Sequence, residues 1–478
     1  MLPYKKKAYK LLHEGAIELA KVEQNGIRVN VPYLEKAILD TSKEIFDLEN
    51  GLKRHKVMKK WWKTFGRKTN SNSLDQLSTI LFDVMGYDPP GYTGTGRVKC
   101  DEAALSTVDN PFVQDYLKLR KLQKIHGTYL KGIQRETIDG FCHPFFNLHT
   151  AITYRSSSDS PNFQNLPIRN PELGRLVRQA FIARQDHHII ELDYSGVEVC
   201  IAACYHKDPM MLEYISNENK DMHRDMAQEC YLLSNEEMHN PINKADKKRI
   251  KAIRYCGKNM FVFPQFYGDY YIDCARSLWE AAENLNLTTR NGTPLLEHLR
   301  TKGITELGDL DPREKPGSGT FEKHIKDIEN SFWNERFPVY KHWKDAWVNK
   351  YQKTGYVLTK TGFICQGIMK RNEVINYPIQ GSAFHCLLKS LINVNKGLPK
   401  QKMDGLIVGQ IHDSMVADIP HTQLEDSLQY MNKVVTQDLK KQWPWIITPL
   451  EIEAEVAPIN GTWADKKEVE LKDNNNEY

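Results

Sequence analysis

The stretch Ile190-Glu-Leu-Asp193-Tyr-Ser-Gly-Val-Glu198 narrows the choice of fold more than any other. Its apolar residues predict a short buried strand over 188–192 that ends in an acid, then a turn, then a helix beginning near Val197. An Asp at the mouth of a strand ordinarily does no more than cap a turn. A second stretch of the same shape lies far downstream. Leu406 to Ala417 is an apolar run broken by His412-Asp413 and then resumed, the pattern of a hairpin with an acid at its tip. Two strand-end acids from distant parts of a chain can meet across a sheet and share divalent metal.

Composition sets the limits around that idea. The 478 residues suffice for several cores or one large multi-lobed domain. With 40% hydrophobic and 26% charged residues the chain reads as soluble and globular. A net charge of +4 does not by itself indicate a nucleic-acid partner, so local clusters must. The nine cysteines are scattered without a Cys-x-x-Cys pair, which argues for reduced thiols and the cytoplasm and against a disulfide scaffold or structural zinc. No apolar run is long enough to span a membrane.

Taken in order, 8–24 has helical periodicity, Ile27–Val31 reads as a short strand, and 32–60 reads as one or two helices. These helices end in the basic run Lys53, Arg54, His55, Lys56, Lys59, Lys60. Such a run is usually a solvated face. Ser73 with Gln76 forms a capping-box pattern. The 89–96 stretch is a turn-rich loop without nucleotide-motif spacing. A helix over 111–134 places Arg120, Lys124 and Thr128 on one face, either an exposed stripe or a rail for phosphates.

The polar segment 153–167 carries Arg155, Asn162, Gln164 and Asn165, donors suited to phosphates, sugars or base edges. Further on, Arg254 and Lys258 lie one turn apart and are followed by Phe261, Val262, Phe263, Phe266 and Tyr267. Cations followed by aromatics suit a nucleoside triphosphate; the alternative is an amphipathic helix with a core aromatic face. Residues 280–325 read as a partly irregular surface insertion. Asn376-Tyr-Pro378-Ile-Gln380-Gly-Ser382 opens a helix with Gln380 turned outward, and Glu451–Val456 reads as a final strand.

Five stretches (153–167, 191–198, 254–268, 376–382 and 410–413) stand in the order found in family A DNA polymerases. The chain resembles the polymerase domain of that family, the Klenow-type enzymes, over residues 8–465, and its Phe-Val-Phe-Pro-Gln-Phe-Tyr-Gly form is closest in style to phage members. The resemblance implies an α+β right-hand fold, with an antiparallel palm sheet and mostly helical thumb and fingers. The lobes would be a palm-associated segment over 1–45, thumb over 46–145, palm over 146–215 and 373–478, and fingers over 216–372.

It implies attack of a primer 3′-hydroxyl on a dNTP, with two Mg²⁺ (Mn²⁺ able to substitute) held by Asp193, Asp413 and the Tyr194 carbonyl. Asp193, Asp413, Lys258 and Arg254 become the catalytic set. Tyr194, Ser195, Glu198, His223, Arg254, Lys258, Phe263 and Tyr267 become the dNTP site, with Glu198 as a gate against the 2′-hydroxyl. Arg120, Lys124, Thr128, Arg155, Asn162, Gln164, Asn165, Gln380, Gln410 and His412 become DNA contacts. Primer-template DNA and dNTPs are the expected partners, joined by a separate exonuclease subunit or processivity factor, and the chain is expected to be a monomer.

The chain also departs from the family. Gly196, Tyr154 and Ser414 stand where Gln, Gly and Glu are usual, and an Arg usual near Cys200 is missing. One residue is added between Lys258 and Tyr267, which a π-bulge or kink at Pro264 would absorb. This leaves Phe261, Val262 and Phe263 as alternatives for the stacking residue. With the first family-like helix at Ala8, neither a 3′–5′ nor a 5′–3′ exonuclease is expected here; the motif style points to a phage replication role in a host cytoplasm. A single-subunit RNA polymerase and an inactive DNA-binding paralogue are the competing readings. Glu198 argues against the first and the intact charged set against the second.

Overall fold

The computed structural model describes residues 1–92, 96–167 and 171–471. Residues 93–95 of the 89–96 loop lie outside the described residues. Helix α1 spans Lys6–Asn25 and buries Leu11, Leu19 and Val22 at helical spacing. The strand expected over 27–31 shrinks to Ile27–Arg28, because Asn30 already caps the next helix by accepting from the Tyr33 amide. That helix, α2 (Val31–Arg54), bends at His55 into α3 (Lys56–Phe65).

With α4 (Pro111–Lys124) these two helices enclose a core of their own, including Val57, Trp61, Leu77, Phe112 and Tyr116. Ser73 caps residues 74–78, but the capping box is only half made. The Ser73 amide is already bonded to the Asn70 carbonyl, so the Gln76 side chain serves the Trp61 indole and the Asn70 amide instead. The helix expected over 111–134 widens into a π turn at Ile125–Leu130. Arg120, Lys124 and Thr128 still line one cleft.

The centre of the molecule is a five-stranded antiparallel sheet. Strand β1 (His187–Tyr194) leads through a two-residue turn into α5 (Val197–His206). An excursion of helices follows. It includes α6 (Met222–Cys230), α7 (Lys244–Cys256), a π turn at Gly257–Val262, α8 (Phe263–Tyr267) and α9 (Pro338–Thr354). The long helix α10 (Arg371–Gly397) brings the chain back to β2 (Leu406–Ile411), β3 (Ser414–Pro420), β4 (Ile452–Val456) and β5 (Lys467–Val469). The spatial order is β2-β3-β1-β4-β5, so β1 is central and is flanked by strands made more than 200 residues later. That position fits its apolar face, on which His188, Ile190, Leu192 and Tyr194 are all buried, while Ile189 is buried on the other face beside Glu191, which pairs with Lys466. α1 and α10 pack together in the core beneath the sheet.

Two expectations need correction. The 280–325 stretch is a surface insertion only in part: residues 309–319 are irregular and mostly exposed, but the rest packs inward. Leu287, Leu295, Leu299, Phe321 and Ile325 are buried with Phe261 and Phe332 in an aromatic core. Its apolar residues sit on short helices broken by turns, which hides their period from a sequence window. Truncating a buried phenylalanine in such a core costs about 3–5 kcal/mol. Nor does a helix open at 376–382: α10 begins at Arg371 and Pro378 lies inside it. A proline there leaves the carbonyl four residues back without its amide. The Trp347 indole of α9 takes that place, donating to the Val374 carbonyl at 3.1 Å. No helix among the described residues is long and apolar enough to cross a membrane.

Candidate active site

Strand register creates an acid corner. Asp193 lies at the end of β1, paired with Ser414 on one side and Glu453 on the other. The Tyr194 amide donates to the Asp413 carbonyl at 3.3 Å, so the two predicted acids sit side by side. His412, at the hairpin tip, has a left-handed backbone (φ +48°). Asp193 is pushed up to about 7, by loss of solvation first and then by the carboxylates of Asp413, Glu191 and Glu453. Its outer atoms still reach solvent. Asp413 is raised as well, chiefly by burial, with Arg155 opposing. Glu453 was missed in the sequence. The alternation Glu451, Glu453, Glu455 puts three acids on one strand face, but only the pairing of β4 with β1 sets one of them opposite Asp193.

Ser414, where an acid was wanting, donates instead to Glu191 and to the Ile411 carbonyl. Among the described residues no three His, Cys, Asp or Glu side chains converge as a ready-made metal cage. The fit for a divalent ion therefore rests on the Asp193–Asp413 pair: hard oxygen donors whose mutual repulsion a cation would relieve. The Tyr194 ring is buried, with its hydroxyl donating to the Val435 carbonyl beside Ser390, so only its backbone is available to a ligand. Gly196 has φ +61°, left-handed, and a Cβ there would meet nothing within 4 Å. The turn favours glycine for its backbone and leaves open space above it.

The cation–aromatic face forms the other wall. A cleft of about 460 Å³ is lined by Arg155, Glu198, Lys258, Phe263, Tyr267, His412 and Asp413 among others. An adjoining one of about 380 Å³ adds Ser195, His223 and Arg254, with Lys258 and Phe263 shared. The π turn at 257–262 supplies the adjustment expected for the added residue; it runs without a break into α8, so Pro264 lies inside a continuous helical stretch just after the π turn. Phe261 and Val262 are both 0% exposed in the aromatic core, so of the three candidates Phe263 is the one that faces the cleft. Gly257 permits this close packing: a Cβ there would lie 2.4 Å from the His223 carbonyl.

The cations have internal partners. Arg254 Nε donates to Asp221 at 2.5 Å, and Lys258 Nζ lies 5.1 Å from the Phe263 ring centroid. Burial raises the Asp221 carboxyl, but Arg254 outweighs it and holds the group below its usual range. His223 is pushed down to about 4, by burial first and then by Arg254, and stands edge-on to Phe263. Each oxygen of Glu198 has a donor: Arg155 at 3.1 Å and the Tyr267 hydroxyl at 2.6 Å. Arg155 also reaches Asp413 at 3.5 Å.

Two of the expected DNA contacts, Gln164 and Gln410, turn inward. Gln410 is 1% exposed, and its carbonyl oxygen accepts from Gln164 at 2.8 Å and from Ser156. Its amide donates to the His412 carbonyl at 2.6 Å. Gln164 and Gln410 therefore brace the acid hairpin rather than face a ligand. Buried polar groups must find partners, and leaving one without costs about 1–3 kcal/mol. Asn162 caps the 163–165 turn, and the Asn165 carbonyl accepts from Tyr129. Arg120 donates to Asn72 at 2.6 Å beside Lys124 and Thr128. Gln380 is half-buried on α10 and outside the cleft lining; Asn376, one turn earlier, is within it. Ser195 is held by Glu453 at 2.9 Å.

The chain has known relatives in sequence and in fold. The family model for DNA polymerase family A matches residues 43–257 and 322–464. DNA polymerase I of Geobacillus stearothermophilus is 24% identical over 467 residues, 94% of this chain and 45% of the relative. The thermostable DNA polymerase I of Thermus filiformis is 27% identical over 455 residues, covering 92% and 46%. The chain thus spans about half the length of the curated relatives it matches. Among solved structures, the POL domain of Pol1 from M. smegmatis, in complex with DNA primer-template and dNTP, superposes with a TM-score of 0.68. It is 22% identical, and the match covers 95% of this chain and 70% of that one.

Proposed function

The chain belongs to DNA polymerase family A, and on that premise we propose that it extends a primer 3′-hydroxyl with dNTPs under the direction of a template, releasing pyrophosphate. One arrangement carries this reading: the cleft that joins Asp413 of the acid corner to Lys258, Phe263, Tyr267 and Glu198. We read residues 46–145 as thumb, 146–215 and 373–478 as palm with 1–45 packed against it, and 216–372 as fingers. Primer-template DNA and dNTP, bound by the mycobacterial relative, are the corresponding partners here.

Asp193, Asp413 and the Tyr194 carbonyl would hold Mg²⁺ or Mn²⁺. Bound there, two ions would supply charge that activates the attacking hydroxyl and neutralises the pyrophosphate. The protein's own groups do the rest. Arg254 exchanges Asp221 for phosphate oxygens, and Lys258 leaves the Phe263 face to meet the same charge, with an ammonium proton available to the leaving group. Phe263, freed of the lysine, offers its ring to the incoming base. Glu198, held from both sides, fills the space that a 2′-hydroxyl needs. Arg155 and His412 face the primer terminus, and the row Arg120, Lys124 and Thr128 follows the duplex backbone.

The Phe-Val-Phe-Pro-Gln-Phe-Tyr-Gly wording supports a phage replication role. The described residues are taken up by these lobes, so proofreading in this reading comes from outside the 478 residues. Primer extension with Mg²⁺ and dNTPs is the test. Wild type should extend, and Asp413→Ala should lose at least about 10³-fold in rate, a loss larger than that of one electrostatic donor. Extension that survives the substitution sinks the assignment of the acid corner.

A further inference from the structure

The row of the central sheet behind the acid corner carries charge that the chemistry described above leaves unused. Glu191 lies two residues before Asp193, on the same face of β1, and strand pairing sets Glu455 of β4 opposite it. One cation reaches both carboxylates. Lys466, just before β5, places its ammonium against Glu191 and against Glu455. The Lys466 and Glu191 side chains are each 11% exposed, so water and salt screen this pair little. Two neutral donors also close on Glu191: the Trp463 indole at 3.0 Å and the Ser414 hydroxyl at 3.1 Å. Trp463 is itself fixed, stacked on Phe163 and covered by the Arg178 guanidinium.

That clamp matters because of where Glu191 stands. Ser414, which bonds to it, is the register partner of Asp193 and follows Asp413 in the hairpin. A glutamate so placed is an oxygen donor within a side chain's length of any cation the two aspartates share, and hard cations take carboxylate oxygens. Yet among the described residues no three such groups converge there. Glu453, the other acid beside Asp193, meets the neutral Ser195 hydroxyl at 2.9 Å, whereas Glu191 is drawn the other way by an ammonium. A buried ion pair is weak evidence for stability, because packed apolar side chains of the same volume serve as well. This one has a different use: it fixes the place of a carboxylate.

We propose that Lys466 is a positioning residue for the cation site. It holds Glu191 away from Asp193 and Asp413, so a divalent ion rests on the aspartates and keeps coordination positions for substrate oxygens. This rests on the polymerase reading above. Lys466 touches neither substrate nor ion and acts through Glu191.

The test is Mn²⁺ binding to the DNA-free protein, with affinity read by electron paramagnetic resonance and the water left on the ion by water-proton relaxation. Lys466→Met keeps the length of the side chain and removes its charge. It should bind Mn²⁺ about tenfold more tightly, the scale of one unit charge lost nearby in a partly screened site. The bound ion should carry less exchangeable water. In single-nucleotide incorporation, kcat should fall while the Mn²⁺ concentration for half-maximal rate also falls. Adding Glu191→Gln, which keeps an acceptor for Ser414 and Trp463, should restore the wild-type water content; adding Glu455→Gln instead should leave it low. If Lys466→Met alone does not fold, the Lys466→Met, Glu455→Gln pair, with one unpaired charge fewer, carries the same comparison. Unchanged affinity and relaxation in the folded variant would overturn the proposal. So would a loss of water that Glu455→Gln reverses and Glu191→Gln does not. Wild type that binds Mn²⁺ equally well after Asp413→Ala would break the cation site itself, and with it the polymerase reading, a different result from a failed clamp.

Discussion

The acid corner and the cation–aromatic face meet in one cleft through Asp413 and Lys258, but they stand on opposite electrostatic terms. Asp193 faces three carboxylates and is raised to about 7 by burial and their charge. Across the cleft, Arg254 is bonded to Asp221 and Lys258 rests over Phe263. The difference follows from what carries each group. Short Asp side chains at paired strand ends are held by backbone register and cannot escape one another. Long Arg and Lys side chains on helices swing to whatever partner lies within reach. The corner waits under repulsion, while the face must give up existing partners to bind anything.

The sharpest way to break this comparison is Lys258→Ala. If the lysine exchanges its aromatic partner for transition-state charge, kcat for nucleotide incorporation falls by about 10²–10³ with a smaller change in dNTP KM. A lysine that merely clips Phe263 in place would cost melting temperature and little rate. Glu198→Ala removes the group held between Arg155 and Tyr267, and incorporation of rNTP relative to dNTP should rise by about 10², the scale on which a pocket filters one hydroxyl. Equal use of the two by wild type would remove Glu198 from that role.

Smaller effects test the internal partners. Asp221→Asn keeps the cap on α6, since the side-chain oxygen still accepts from the His223 and Arg224 amides. It discharges the partner of Arg254, and dNTP KM should fall about two- to fivefold, the weight of a partly exposed ion pair. A rise in KM would mean that Asp221 aims Arg254 rather than competing for it. The smallest effect is on stability. Asp193 ionises near 7 when folded and near 4 when unfolded. Between those values the folded chain binds the extra proton, so this group's contribution to stability falls as pH rises through the window. In metal-free buffer Asp193→Asn should melt above wild type at pH 7.5, with the gap closing toward pH 4. A gap that widens on acidification would contradict the like-charge account.

Much of this was legible beforehand, and for a physical reason: strands, turns and caps are local. The strand that carries Asp193, the hairpin tip at Asp413 and the helix after Gly196 follow from a few neighbouring residues each. The π adjustment before Phe263 could be foreseen from spacing, but choosing Phe263 over Phe261 needed the aromatic core, because all three candidates share one apolar run. The failures are failures of distance. Gln164 and Gln410 read as ligand donors because nothing nearby in sequence shows that they satisfy each other. Glu453 met Asp193 only through strand pairing. The 280–325 core was hidden by turns between short helices, and Pro378 sits inside a helix because an indole from another helix serves the carbonyl that it leaves free.

The central place of β1 has a consequence in time. Ser414 and Glu191 touch across neighbouring strands yet are 223 residues apart in the chain. At ribosomal speeds of about 5–20 residues per second, roughly 10 to 45 s separate the synthesis of β1 from that of its first neighbour. Through that interval the apolar face of β1 has no sheet to join, while the helices of the excursion, whose contacts lie closer along the chain, can already assemble. The acid corner is thus among the last parts of the nascent protein that can form.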